Sequence, residues 1–376
     1  MKHRIIHISD IHLGHKHATE LSMDVLISSL ALNYNEHTIV VFTGDLFHHK
    51  VNLDSESARL GLKLLTFLNG LGIPSVFING TRSHDYNYQD SVTRDIFPLT
   101  RFVNTVEEIY IDGLDILCVP EEYMDDQHEY YSNTVYGKDK YDLILFHGTI
   151  SDIASYNSMI EDVPYKKAPL FKKSDFMSRT NLTCCGHIHK PQEYTEGESL
   201  LCYAGSWNRL VHGEEEPKGM FIYELDKDGD NIATISSHKF IENTSATKLI
   251  DYRLTEGKSA DMVIVNGKEM SVNDFTEYIA EQQSAKAFSR LILDNPSPSL
   301  YNITRGLERR FNSVSILDKT NKDNSYESRN SSNIELIKEI DSCESIEDEL
   351  HMFITKVLKL DISKDRIRML LTTTSS

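Results

Sequence analysis

The sequence contains no apolar run approaching the roughly 20 residues that a helix needs to cross a bilayer, so we expect no membrane span. Its first apolar stretch, residues 5–8, is interrupted by a histidine and is too short for a signal peptide. Cysteine is scarce too: the five residues form no Cys-x-x-Cys pair, which predicts reduced thiols. Together these absences predict a cytoplasmic protein.

Glycine and proline number only 18 and 9 among 376 residues, which excludes a collagen-like or low-complexity chain. Hydrophobic residues make up 40%, enough to bury a core, and the length predicts two or three domains. Basic residues are also few, 39 against 57 acidic ones, which leaves a net charge of −18. Nucleic acid repels such a chain at long range, so action on DNA would require bound cations, a basic patch or a partner.

Histidine, in contrast, is abundant, with 16 residues, many of them beside aspartate. In the first 240 residues, five short β-rich apolar runs each end in a cluster of Gly, Asp or His. Because strand ends meet at one edge of a sheet, this pattern predicts a layered α/β protein with a site at that edge. The runs and the residues that follow them are 4–8 before Asp10 and His12, 38–43 before Asp45, 74–79 before His84 and Asp85, 141–146 before His147, and 181–185 before His187 and His189.

Leucines at helical spacing between these runs predict helices over 21–32 and 55–71. After the fifth cluster the pattern changes to a smaller unit that reads strand, strand, helix, strand, helix, strand. A polar segment with almost no apolar residue then separates this unit from a helical end. The expected organisation is a domain over 1–245, an α+β unit over 246–318, a linker over 319–332 and a helical tail over 333–376.

Taken singly, each cluster is more typical of a polar turn, and a lone histidine at a strand end is more often structural. The five clusters occur together in the order Asp-x-His, Gly-Asp, His-Asp, His-Gly and Gly-His-x-His, which is very improbable by chance. Mixed imidazole and carboxylate ligands suit Mn²⁺, Zn²⁺ or Fe²⁺. A carboxylate can also bridge two cations, since its oxygens carry about four lone pairs.

These motifs resemble the calcineurin-like metallophosphoesterase superfamily. Within it, residues 9–14, 44–48 and 185–189 are similar to the SbcD-type nuclease, an exonuclease subunit in double-strand-break repair and recombination. Protein phosphatases of the superfamily carry Gly-Asp-x-Val-Asp-Arg-Gly, whereas Leu-Phe-His follows Gly-Asp here, which favours the nuclease branch. The resemblance covers the first 240 residues by motif and the rest by domain order, and the length is like that of phage-encoded versions.

The resemblance implies a layered β-sandwich flanked by helices and a centre of two divalent metal ions, Mn²⁺ in the family. It assigns the first metal to Asp10, His12, Asp45 and His189. It assigns the second metal to Asp45, His147 and His187, with Asp45 bridging. Two such ions clamp the scissile phosphate and activate water as the nucleophile.

One motif departs from the family. Where the family has Gly-Asn-His-Asp, residues 80–85 read Gly-Thr-Arg-Ser-His-Asp. His84 and Asp85 match, which predicts that His84 assists the leaving group and that Asp85 orients its imidazole. The Asn that binds the second metal is absent. Ser83 directly precedes His84 as the Asn would, so we predict Ser83 as the replacement ligand, with Asn79 as the alternative.

The implied function is exonuclease and endonuclease activity on DNA. By the same resemblance the 246–318 unit caps the site and binds DNA, and the tail docks on an SbcC-type coiled-coil ATPase. The resemblance is also compatible with a homodimer. One rival interpretation is a phosphodiesterase or phosphatase for small molecules, which leaves the tail unexplained. Another is a non-catalytic scaffold that kept the fold after losing the Asn.

Overall fold

The computed structural model describes residues 1–51, 54–81, 83–85, 95–120, 140–153, 171–319 and 364. It divides into two compact units, residues 1–250 with 286–288, and residues 251–285 with 289 onward. The predicted linker and tail lie outside the described residues, apart from positions 319 and 364. Within the described part, no helix has the length and apolar character needed to cross a membrane.

The described part of the first unit contains two six-stranded sheets and three helices. Its strands are β1 (Lys2–Ile8), β2 (Thr38–Thr43), β3 (Ser75–Ile78), β4 (Thr100–Val103), β5 (Glu107–Ile111), β6 (Leu114–Val119), β7 (Leu143–His147), β8 (Leu182–Gly186), β9 (Gln192–Glu196), β10 (Ser199–Tyr203), β11 (Gly219–Asp226) and β12 (Thr234–Glu242). Its helices are α1 (Glu20–Asn33), α2 (Glu56–Gly70) and α3 (Lys173–Met177). The sheet orders are β12-β11-β1-β2-β3-β4 and β5-β6-β7-β8-β10-β9.

Alternation along the central strands builds the layers. In β1, Ile5 packs into the core between the sheets, while Ile6 faces the core under α1 and α2. In β2, Val41 and Val40 divide in the same way. Strands covered on both faces are mostly apolar, which explains the consecutive apolar residues at 5–6 of β1 and 39–42 of β2. The predicted α/β sandwich flanked by helices is therefore confirmed.

The second unit holds a five-stranded sheet in the order β15-β14-β13-β16-β17. Its elements are β13 (Leu249–Glu256), β14 (Met262–Val265), β15 (Lys268–Ser271), α4 (Val272–Ser284), β16 (Phe288–Leu293), α5 (Pro298–Arg310) and β17 (Val314–Asp318). Ser271 caps α4, since its hydroxyl accepts a hydrogen bond from the Asp274 backbone N–H at 3.0 Å. The structure adds β15 to the predicted order of elements. A DNA-binding cap stays a prediction for this unit.

Candidate metal centre

The site forms where five strands of the two sheets end. β1, β2 and β3 run parallel in one sheet, and β7 and β8 run parallel in the other, so their carboxyl ends lie at shared edges. The loops cross from sheet to sheet: the Asp10 carboxylate accepts a hydrogen bond from the His187 backbone N–H at 3.1 Å. The predicted residues at these ends are Asp10, His12, Asp45, Ser83, His84, Asp85, His147, His187 and His189, and all of them are described.

The backbone is strained at this edge. Eight described residues other than glycine have a positive φ, and four of them are Asp10 (49°), His12 (52°), Asp45 (51°) and His187 (93°). Backbone hydrogen bonds hold the strain in place, since the Asp10 N–H donates to the Gly44 carbonyl at 3.1 Å and the His12 N–H to the Asp45 carbonyl at 3.0 Å. Strain of this kind persists where a side chain must be aimed at a site.

Two glycines permit the close approach of the loops. Gly44 has a φ of 89°, and a Cβ there would collide with the His147 ring and with Gly80. A Cβ on Gly186 would collide with the Thr43 carbonyl oxygen. The Gly of Gly-Asp and the Gly of Gly-His-x-His therefore make room for the neighbouring strand end.

Asp10, His12 and His189 form the first group of possible ligands, with one ligand atom from each within 4.8 Å of the others. The Nε2 atoms of His12 and His189 lie 3.3 Å apart and 3.9 and 3.8 Å from Asp10 Oδ1. Nδ1 of His189 lies 3.1 Å from a carboxylate oxygen of Glu214, so that nitrogen carries the proton. The lone pair of its Nε2 is thereby directed at the group.

Asp45, His147 and His187 form the second group within the same distance. His147 Nδ1 donates to the Thr43 carbonyl at 2.7 Å, which leaves the lone pair on Nε2, 3.6 Å from Asp45 Oδ2. The same Oδ2 lies 3.7 Å from His12 Nε2 of the first group. Asp45 therefore faces both groups, as the predicted bridge requires.

The protonation states fit cation binding. Burial lowers the pKa of His12 and takes that of His187 to about 3, so both imidazoles are neutral, the form that binds a metal. Burial acts to raise the pKa of Asp45, but His147, His84 and His12 outweigh it and hold that pKa well below its usual range. Burial raises the pKa of Asp10, and a cation there would favour the ionised carboxylate. An ionised Asp45 beside the neutral imidazoles of His12 and His187 is a donor set suited to divalent ions.

His84 contacts the bridge. Its Nδ1 lies 3.0 Å from Asp45 Oδ2, and its side chain is 23% exposed at the mouth of the site. Burial lowers its pKa, but the hydrogen bond to Asp45 more than offsets this, so the pKa of His84 is raised. A protonated imidazole at the mouth of the site can donate to an oxygen of a bound phosphoester.

Asp85 contacts backbone groups, and its predicted role in orienting the His84 imidazole stays a prediction. Its buried carboxylate accepts hydrogen bonds from the backbone N–H groups of Leu46 (3.2 Å), Phe47 (3.0 Å) and Gly80 (3.0 Å). Asp45 is the carboxylate that contacts the His84 imidazole. Asp85 therefore ties the loop after β2 to the loop after β3, and it serves the site by fixing backbone.

Thr81 is a site residue that the sequence analysis missed. Its backbone N–H donates to Asp45 Oδ1 at 2.6 Å and its hydroxyl to Asp45 Oδ2 at 3.2 Å. Ser83, the predicted replacement for the family Asn, is exposed, and Asn79 is half-buried. The signal was present, since Thr81 directly follows Gly80 as the Asn follows Gly in the family motif.

We expect Thr81→Val to raise the Mn²⁺ concentration needed for half-saturation by about 10- to 100-fold, because it removes the hydroxyl on Asp45 but keeps the side-chain shape. Mn²⁺ titration by calorimetry measures this directly. Ser83→Ala is the matched control and should change the affinity less. The reverse ranking would return the role to Ser83, and a dominant effect of Asn79→Ala would assign it to that residue.

Two further residues reach the groups. His48 Nδ1 lies 3.3 Å from His12 Nδ1, and His12, His48 and His84 form a third cluster with ligand atoms within 4.8 Å. His48 stands three residues after Asp45, so the motif itself carried that signal. Glu214, against His189, belongs to no strand-end cluster, and nothing local marked it.

Residues 3–191, about half of the chain, match the family described as calcineurin-like phosphoesterase. The chain belongs to the calcineurin-like phosphoesterase family. All of the strand-end motifs lie inside the matched segment, and the two groups of possible ligands supply what a metallophosphoesterase needs to bind metal. The chemistry of this family member is therefore hydrolysis of a phosphoester with divalent metal.

Two solved structures match the chain at low identity. A novel archaeal phosphodiesterase is 12% identical, with 64% of this chain and 99% of that chain covered and a TM-score of 0.33. An uncharacterised conserved protein of Streptococcus pneumoniae, described as a predicted phosphoesterase, is 13% identical, with 64% and 99% covered and a TM-score of 0.27. No curated protein sequence matches this phosphoesterase. At these scores the likeness says nothing about the substrate.

Proposed function

We propose that this phosphoesterase is a metal-dependent DNA nuclease of the SbcD type that cuts phosphodiester bonds during end processing, recombination and repair. The observation that carries the proposal is the position of Asp45, which faces His12 of one ligand group and His147 of the other. The Leu-Phe-His sequence after Asp45 supports the nuclease branch over the protein phosphatases.

We propose that the site binds two divalent ions and that both are Mn²⁺. Asp10, His12, Asp45 and His189 would hold one ion. Asp45, His147 and His187 would hold the other. Bound there, the ions supply charge that polarises the phosphoryl group and activates water.

The chain's own residues complete the chemistry. His84, whose pKa is raised by Asp45 despite burial, donates a proton to the leaving oxygen. Asp45 keeps that imidazole aimed, and the two hydrogen bonds from Thr81 keep Asp45 in place. Asp85 holds the loops that carry Asp45 and His84 in register through three backbone hydrogen bonds.

Incubation with linear duplex and single-stranded DNA in Mn²⁺, with and without EDTA, tests the proposal. A matched series contains bis(p-nitrophenyl) phosphate and p-nitrophenyl phosphate. DNA cleavage that EDTA abolishes supports the nuclease. Hydrolysis of the small esters with intact DNA would replace it with a small-molecule phosphodiesterase, and no hydrolysis of any substrate would leave the scaffold interpretation.

The tail over 333–376 is proposed to dock on an SbcC-type ATPase, because apolar residues at spacings of three and four follow a polar linker. A net charge of −18 also favours a partner that grips the duplex. We expect removal of 333–376 to abolish co-purification with the ATPase while Mn²⁺ binding persists. The double variant Phe353→Asp, Val357→Asp should likewise lose co-purification with the ATPase and keep Mn²⁺ binding. Retained association, or unfolding of the truncated chain, would contradict the assignment.

A further inference from the structure

A loop beyond the family match reaches the metal centre. Residues 209–218 lie after residue 191, where the match ends. Glu214 of this loop places Oε1 3.1 Å from His189 Nδ1. Its other oxygen, Oε2, accepts a hydrogen bond from the Leu210 backbone N–H at 2.9 Å. The side chain is only 10% exposed, so its two oxygens are held in one orientation.

Lys218 forms an ion pair with the Glu214 carboxylate. Its side chain is fully buried, and its Nζ lies 3.1 Å from Glu214 Oε2 and 2.8 Å from Glu216 Oε1. The same ammonium donates to the backbone carbonyl of His189 at 2.9 Å. A buried ammonium is tolerated only where such partners compensate its desolvation. One cation therefore links Glu214 to the segment that carries His189.

Arg209 braces the loop as a whole. Its guanidinium donates to the backbone carbonyls of Glu214 at 3.0 Å, Glu216 at 3.1 Å and Ala246 at 3.1 Å. One side chain therefore fixes two carbonyls of the loop and ties them to Ala246, so the backbone that carries the Glu214 carboxylate is held in place.

We propose that Glu214, held by Lys218, is a positioning residue that orients His189 and strengthens it as a ligand of the first metal. This inference rests on the proposed function. Glu214 accepts a hydrogen bond from the Nδ1–H of His189, so the lone pair of His189 Nε2 faces Asp10 and His12. An anionic acceptor on one imidazole nitrogen makes the other a better donor to a metal.

The test compares Glu214→Gln with Glu215→Gln, the same substitution at the exposed neighbour. Calorimetric titration of the full chain with Mn²⁺ should show two sites in the wild type. In Glu214→Gln, one site should weaken by about 10- to 100-fold and the other should keep its affinity. Glu215→Gln should match the wild type. Equal affinities in Glu214→Gln and the wild type would overturn the inference.

A second measurement reads the protonated nitrogen of His189 in the wild-type chain itself. Nitrogen NMR of the metal-free wild-type chain should show His189 protonated on Nδ1, its signal assigned by loss in His189→Asn. The opposite tautomer would overturn the proposal. Failure of the wild type to bind any Mn²⁺ would instead overturn the proposed function, so the two failures are distinguishable.

Discussion

Asp45→Asn should reduce phosphodiester hydrolysis by about 10³-fold or more, because it removes the charge that the two proposed metals would share, and metal stabilisation is worth several kcal/mol. The fold should persist. Asparagine tolerates the φ of 51° at this position, and its side-chain oxygen can still accept the Thr81 backbone N–H. Steady-state hydrolysis of DNA at saturating Mn²⁺ measures the loss, and elemental analysis measures the metal content.

Asp112→Asn is the matched control. Asp112 has the same φ of 51° but lies in the turn between β5 and β6, where its exposed carboxylate approaches His3 at 3.5 Å. Asp112→Asn should keep full activity and both metals. Substantial Mn²⁺-dependent activity in Asp45→Asn would refute the assignment of Asp45 as the shared ligand.

His84→Ala should lower the rate by about 10²- to 10⁴-fold, the range for removal of a general acid, while the metal content stays that of the wild type. The metal content should stay unchanged because His84 contacts Asp45 and its half-buried ring is partly exposed at the mouth of the site, where a substrate would bind. Aryl methyl phosphates with leaving groups of increasing pKa separate the chemistry from binding. The loss should be smallest for p-nitrophenolate, which needs no proton.

His37→Ala controls for loss of an imidazole, since His37 is exposed and pairs only with Glu36 among the described ion pairs. It should match the wild type throughout. If His84→Ala loses metal as His187→Ala does, His84 is a ligand and its proton-donor role is wrong. If the loss is the same for every leaving group, His84 binds the substrate without protonating it.

Local pattern was enough for the central strands. The apolar run over 38–43 became β2 with the same bounds, because its four central residues are all apolar and buried, as in a strand covered on both faces. β5 was missed because two of its five residues are exposed and it begins with two glutamates, which no apolar pattern distinguishes from a loop. β4 was missed because it has only four residues, one of them an arginine.

The sequence by itself indicated Asp10, His12, Asp45, His84, His147, His187 and His189, because each follows a strand end and parallel strands bring such ends to one edge. Only the tertiary structure decided what supports them. Thr81 reaches Asp45 across 36 positions and Glu214 reaches His189 across 25, and both contacts depend on how loops of different strands lie. Asp85, the predicted partner of the adjacent His84, accepts hydrogen bonds from backbone N–H groups up to 39 positions away. Hydrogen bonds between residues so far apart produce no periodic pattern in the sequence, so only the folded structure shows them.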